Sequence, residues 1–234
     1  MALPLVFFPS ALLMTVSGLL IPELSDAQAL GQRRQVARLV ECALHLTLLG
    51  AIGVGGLFTA LGKPLGLLLY DDGMVGMLLQ VLGPLTPVMY LDSISSALLK
   101  GLGQQVHTLW FAVMDSAVRI LLIWWLLPYY GLTGFLFVMV VSNLLTGLLS
   151  TGRLLAVSGG EIQWGRWILR PLLAAALAGV VCRLLPGAGS VYVCVSIGAF
   201  ALLYSLCLVL FRCVSKEDWQ QLIARKGQQK TAVG

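Results

Sequence analysis

Apolar residues run in long blocks along this chain, separated by short polar connections. Seven blocks are long enough to cross a bilayer as helices: about 4–22, 39–62, 75–99, 106–127, 132–152, 167–185 and 190–211. A hydrocarbon core about 30 Å thick takes roughly 20 helical residues to cross. Hydrocarbon offers no partner to backbone N–H and C=O groups, which favours helices, and the short alternating strands of a membrane barrel are not visible. The pattern predicts an all-α polytopic membrane protein of about seven transmembrane helices, ending in a polar tail over 212–234. The first block has no basic residue before it and is followed directly by Glu23, so it reads as a membrane helix rather than a cleaved leader.

Composition agrees. Of 234 residues, 59% are hydrophobic and 11% charged, where an average soluble domain is about a quarter charged. A net charge of +5 would suggest nucleic acid in a soluble protein. Here the basic residues sit between the apolar blocks and report topology instead, so no nucleic-acid partner is expected. Arg33, Arg34, Arg38, Lys100, Arg153, Arg166, Arg170, Arg212, Lys216, Arg225, Lys226 and Lys230 fall on one side, against Lys63 and Arg183 on the other. The positive-inside rule then places the N-terminus outside and the C-terminus in the cytoplasm. An N-out first helix with almost no polar sequence before it most naturally follows another helix, so the chain reads like the downstream part of a longer membrane protein. Cys42, Cys182, Cys194, Cys207 and Cys213 are odd in number, form no CxxC and lie in or beside apolar blocks. They predict small packed residues rather than a disulfide framework or a zinc site.

Ionisable residues at membrane depth are the candidates for function, because each is costly in lipid. Asp115 and Arg119 lie four apart in the fourth block, on one helix face with the acid first. They either line a polar cavity, with Arg119 holding an anionic group such as phosphate, or form a self-neutralising pair that lets the helix insert. In the third block Pro84 and Pro87 remove backbone donors and should kink the helix. Asp92, Ser93, Ser95 and Ser96 follow. This suits either a transport pathway with an ion-coupled carboxylate or a packing kink with a locally bonded Asp. Glu41 and His45, four apart, could relay protons or simply reach the interface; His107 opens the fourth block with a weaker case. Gly50, Gly53, Gly55 and Gly56 suggest close helix packing, with a mobile hinge as the alternative. Trp110, Trp124, Trp125, Tyr129 and Tyr130 suit interfacial anchoring. No HExxH, Walker A or GxSxG occurs, Gly159-Gly160 is too little glycine to cradle phosphate, and the last block holds no lysine for a retinal. No enzyme, cofactor or metal is expected.

Three stretches carry a family resemblance. FFPSALLMTVSGLLIPELSDA, with Pro9, Pro22 and Ser25, resembles a helix with an early Pro that ends in Pro-x-x-Ser before a cytoplasmic stretch. SALLKGLGQ, with Gly101 and Gly103, resembles a small-residue segment with Gly-x-Gly at a helix end. VRILLIWWLLPYYGLTGFL resembles the following helix pair, with a basic residue at Arg119 and a helix beginning at Gly131. The family is the multidrug/oligosaccharidyl-lipid/polysaccharide exporter superfamily, in its polysaccharide-biosynthesis and stage V sporulation protein B-like branch. The resemblance implies fourteen helices in such proteins, as two six-helix lobes and two further helices, with this chain matching helices eight through fourteen. It implies that 1–156 is a partial C-terminal lobe of five helices, 157–211 two additional transmembrane helices and 212–234 a cytoplasmic tail. It also implies a multi-pass protein of a bacterial inner membrane that flips lipid-linked sugars for the cell envelope, by alternating access. Arg119 would help neutralise the substrate phosphate, and Asp92 and Asp115 would tune cavity charge or couple to an ion. The implied partners are membrane lipids, a lipid-linked sugar, and a missing N-terminal lobe or second copy. A multidrug-type antiporter fragment is the alternative within transport, against which Arg119 leans. A membrane scaffold of an envelope-synthesis complex is the alternative outside it.

Overall fold

The computed structural model describes residues 18, 20–71, 73–160, 165–184 and 190–210. The predicted first helix, 4–22, lies largely outside these residues, and the tail, 212–234, lies wholly outside them. Among the described residues the chain is all-α with no strand. Five helical spans among them are long and apolar enough to cross a bilayer: Arg33–Tyr70, Gly73–Gly101, Gln105–Gly131, Thr133–Ser158 and Val193–Leu210.

Helix α1 occupies 20–29 and so continues past the predicted end at 22. After a tight turn at Gly31, where φ is +67°, α2 runs Arg33–Tyr70. It starts six residues before and ends eight after the predicted block. Arg33, Arg34 and Arg38 therefore ride on the first turns of α2 rather than in a loop. The third block is divided into α3 (Gly73–Leu82), a 3-10 turn (Gly83–Leu85) and α4 (Thr86–Gly101). Pro84 lies in the 3-10 turn and Pro87 in the first turn of α4, the position where a missing N–H costs least.

The fourth and fifth blocks form α5 (Gln105–Ser158), which carries Pro128 and a non-helical Gly131 at φ 52°, ψ −128°. Arg119 hydrogen-bonds Ser142, 23 residues on. In a straight helix those residues would stand roughly 34 Å apart, so α5 reverses at Gly131 into a hairpin of two arms. A positive φ there suits glycine and few other residues. A π-helical turn, Gly165–Leu169, leads into α6 (Arg170–Leu184), and α7 spans Ser190–Leu210. At fifteen residues α6 is short for a membrane span; with the π turn ahead of it the helical run reaches roughly 30 Å.

Helix α2 is the centre, packing against α3, the 3-10 turn, α4, α6 and α7. Its glycines each admit a different neighbour. A Cβ on Gly53 would meet the Tyr204 ring of α7 at 2.7 Å, one on Gly55 the Gly83 carbonyl oxygen at 2.5 Å, and one on Gly56 the Ala175 Cβ of α6 at 2.9 Å. The cluster is a packing device. Tyr204 also donates its hydroxyl to the Leu49 carbonyl at 2.7 Å, tying α7 to α2. The α5 hairpin attaches chiefly to α4.

The α1 helix, the end of α4 and both ends of α5 meet at one end of the bundle, where Lys100 and Arg153 lie. Ser25 donates to the Gly101 carbonyl at 2.9 Å, Gln28 to the Leu102 carbonyl at 3.1 Å, and Arg153 to Gln104 at 3.1 Å.

Gly55→Val should lower unfolding stability in detergent by about 1–3 kcal/mol through overpacking against the Gly83 backbone. Gly152→Ala, whose added Cβ meets nothing within 4 Å, should leave stability equal or slightly higher. Thermal unfolding of both variants checks the contrast.

Candidate functional site

The N-terminal arm of α5 carries Asp115 and Arg119 midway along its length. Arg119 Nη2 reaches Asp115 Oδ2 at 2.7 Å. Across the hairpin, Ser142 completes the group. It accepts from Arg119 Nε at 3.2 Å and Nη2 at 2.9 Å, and its hydroxyl donates to Asp115 Oδ1. One donor and two acceptor positions are all that a serine hydroxyl has, so Ser142 is fully used and is wholly buried. The hydrogen-bonded triangle locks the two arms together at the level of the pair.

The C-terminal arm continues the polar line. Ser142, Thr146 and Ser150 recur every four residues and so share a face; all three are buried. Thr146 turns its hydroxyl back to the Ser142 carbonyl at 2.9 Å. Ser150 donates to Asp92 Oδ1 of α4 at 2.8 Å, and Ser95 pairs with Thr151 at 3.1 Å. Close approach makes these bonds possible: a Cβ on Gly147 would meet Val88 Cγ1 at 3.0 Å. Ser142 and Ser150 are two turns apart, roughly 12 Å. The structure therefore places Asp115, Arg119 and Asp92 on one polar track carried by the C-terminal arm of α5, in two separate hydrogen-bonded groups, one between the two arms of α5 and one against α4.

The other side of Asp92 opens on a cleft of about 600 Å³ between α1 and α4. Ser25, Ser93, Ser96 and Lys100 also line it. Asp92, Ser96 and Lys100 recur every four residues, so an acid and a base mark positions two turns apart on the cleft wall of α4. Pro84 and Pro87 lie elsewhere, on a groove beside α6. The kink thus does not adjoin the polar track; it sets the path of α4, which does. Glu41 and His45 are also apart from the track. The His45 ring stacks on Trp167 with centroids 5.3 Å apart, and the Glu41 side chain lies against Gly160. His107 is exposed on the first turn of α5. Trp110, Trp124, Trp125, Tyr129 and Tyr130 are exposed on the N-terminal arm. Among the described residues no three His, Cys, Asp or Glu side chains come together as a metal would need.

Sequence reasoning missed Ser142 and Ser150, the residues that receive the charged side chains. The signal was present as hydroxyls at a four-residue interval in an otherwise apolar block. The motif stretches around Ser25 and Gly101 do meet, through the hydrogen bond given above.

No family model matches the chain, and no curated protein matches it. Among solved structures the chain is similar in fold to lipid II flippase MurJ in an inward closed conformation, with a TM-score of 0.75 and 18% identity. The match covers 90% of this chain and 46% of that one, so the chain spans about half the length of that flippase.

Ser142→Ala should destabilise the hairpin by about 0.6–1.7 kcal/mol, the range for hydrogen bonds between membrane helices. Arg119→Ala should cost more, since it leaves Asp115 without its countercharge. The double variant Asp115→Ala/Arg119→Ala should recover part of that loss. Reversible unfolding in mixed micelles of the four proteins, wild type included, checks the order.

Proposed function

We propose that this chain is the C-terminal half of a flippase for lipid-linked saccharide precursors of the cell envelope. The polysaccharide-biosynthesis and sporulation branch is the finer family reading. The observation that carries the proposal is the Asp115–Arg119 pair. It sits midway along an apolar arm that the other described residues scarcely cover, with the Arg119 side chain 44% exposed. An intramembrane arginine held in place with its surface still open suits a site that meets an anionic group. The fold likeness to a lipid II flippase over about half of that protein supports the same reading.

In this reading the open face of the arm meets a second lobe, either a separate N-terminal half or another copy. The carrier is an undecaprenyl-type lipid bearing sugar and phosphate. Its phosphate approaches Arg119 and competes with Asp115 for the guanidinium, while Ser142 keeps the side chain aimed. Flipping requires only that the site be exposed to each side in turn, so no covalent step is involved. Asp92 and Asp115 set the cavity charge or couple it to an ion. Domain limits follow the same scheme: 1–156 as the partial lobe, 157–211 as two additional helices and 212–234 as the cytoplasmic tail.

The proposal is tested by translocation of a fluorescent undecaprenyl-diphosphate-linked sugar in proteoliposomes. The liposomes contain this chain alone or with a candidate N-terminal half. Transport only in the joined system assigns the second lobe to an N-terminal half, and transport by this chain alone assigns it to another copy; in the active system Arg119→Ala should lower transport about tenfold or more, the scale of one charge-assisted hydrogen bond. Undiminished transport in Arg119→Ala would remove the role given to that residue. Absence of transport in every combination favours the scaffold reading.

The proposed orientation has a separate readout. In a cysteine-free background, Asp71→Cys should react with a membrane-impermeant maleimide added to intact cells, and Gln104→Cys should not. The reverse pattern overturns the N-out assignment.

A further inference from the structure

Lys63 and Arg183 are the minority in the charge distribution, the two basic residues assigned to the sparsely charged side. They lie 120 residues apart in sequence, yet the fold brings Arg183 onto the turn of α2 that precedes Lys63. Arg183, in the last turn of α6, donates from Nη2 to the Thr59 carbonyl of α2 at 2.7 Å. Lys63 stands one helical turn beyond Thr59 on the same face of α2. Both side chains are exposed.

That spot is one end of an apolar groove of about 370 Å³. Its floor is α2, at Ile52, Gly55, Gly56 and Thr59; one wall is the proline break, at Pro84 and Pro87; the other is α6, from Leu172 through Ala176 and Val180 to Arg183. Lys63 continues the line of the floor past Thr59. From Leu172 to Arg183 the groove runs eleven residues, roughly 16 Å at the helical rise. One leaflet of a hydrocarbon core is about 15 Å deep. The groove is therefore as long as one leaflet and apolar along its length, with Arg183 at one end and Lys63 one helical turn beyond it on α2.

We infer that this groove is a binding site for an anionic glycerophospholipid of that leaflet, with one acyl chain along the floor and the phosphate between Arg183 and Lys63. The Thr59 carbonyl holds one edge of the guanidinium, which orders Arg183 and leaves its remaining donors for the phosphate. An acyl chain fills a space that hydrocarbon-facing small residues leave open and that water would not enter. The site is separate from the polar track, so it stands whether or not the chain takes part in flipping. It places a structural lipid against the proline break, where α2, α6 and the 3-10 turn converge.

The test uses the 234-residue chain in nanodiscs of phosphatidylcholine, with or without 20 mol% phosphatidylglycerol. Phosphatidylglycerol should raise the unfolding temperature, and native mass spectrometry should show one retained phosphatidylglycerol per chain. Arg183→Gln and Lys63→Gln should each weaken that retention roughly fivefold, about the effect of one basic residue near a membrane surface. Ala176→Phe, an exposed position on the groove wall, should abolish retention by filling the groove while leaving the fold intact by circular dichroism. Equal retention in wild type, both charge variants and Ala176→Phe overturns the site. Displacement of phosphatidylglycerol by undecaprenyl phosphate at equimolar level overturns the glycerophospholipid assignment and gives the groove to a polyprenyl chain.

Discussion

Hydrocarbon gives an interrupted helix nothing to bond to, so a break in a membrane span must be covered by protein. At Gly83–Leu85 neither Pro84 nor Pro87 has an N–H to give to the carbonyl four residues earlier, and the Gly83 carbonyl accepts from the Thr86 N–H in the 3-10 turn instead. Helix α2 covers the break by approaching at Gly55, where a Cβ would stand 2.5 Å from the Gly83 oxygen. Thr59 sits beside it and returns its own hydroxyl to the Gly55 carbonyl at 2.7 Å, so it adds no unmet polar group. This backbone-to-backbone contact fixes where α3 ends and in which direction α4 leaves. The α5 hairpin attaches chiefly to α4, so the place of Asp92 and the seat of the hairpin that carries Asp115 and Arg119 both follow from the path of α4.

The track itself is built from inexpensive groups. Serine and threonine can be carried in an apolar helix because their hydroxyls bond back to a carbonyl four residues earlier, as Thr146 does. Ser142 and Ser150 are instead turned outward, one to Asp115 and Arg119, the other to Asp92. Two small residues thus give partners to three ionisable side chains across helix boundaries. Gly147 allows α4 and α5 to come close enough for the second of these bonds.

Much of this architecture was legible in the sequence. Apolar block length gave the all-α membrane class, because a bilayer imposes a minimum span. Pro84 and Pro87 marked a break that the fold realises as a 3-10 turn, and the spacing of Asp115 and Arg119 placed them on one face. Helix ends were less legible. Arg33, Arg34 and Arg38 looked like loop residues because their charge cannot enter hydrocarbon, yet a helix can extend beyond the bilayer, and α2 does. Long-range pairing was the least legible. Nothing local links Arg119 to Ser142 or Arg183 to Thr59, since both meetings depend on how helices reverse and cross.

Arg119 lies on a side that the described helices leave open. An arginine at the centre of a membrane helix costs about 2.5–3.5 kcal/mol by insertion scales. Asp115 and Ser142 offset much of that, but they cover only part of the side chain, and 44% of it stays exposed. Full burial between the arms would have neutralised the pair completely and made it a structural staple with no further chemistry. Instead the uncovered part lies on an arm that exposes Trp110, Trp124 and Trp125 along with its aliphatic residues. Facing lipid, the uncovered guanidinium is a liability. Facing a second lobe across a wet cavity, it becomes a fixed cation at membrane depth whose countercharge can be exchanged for a phosphate. The proposed flippase half makes sense of both the partial neutralisation and the face left uncovered, because a site that must bind and release an anion needs its positive charge held in place but not fully satisfied.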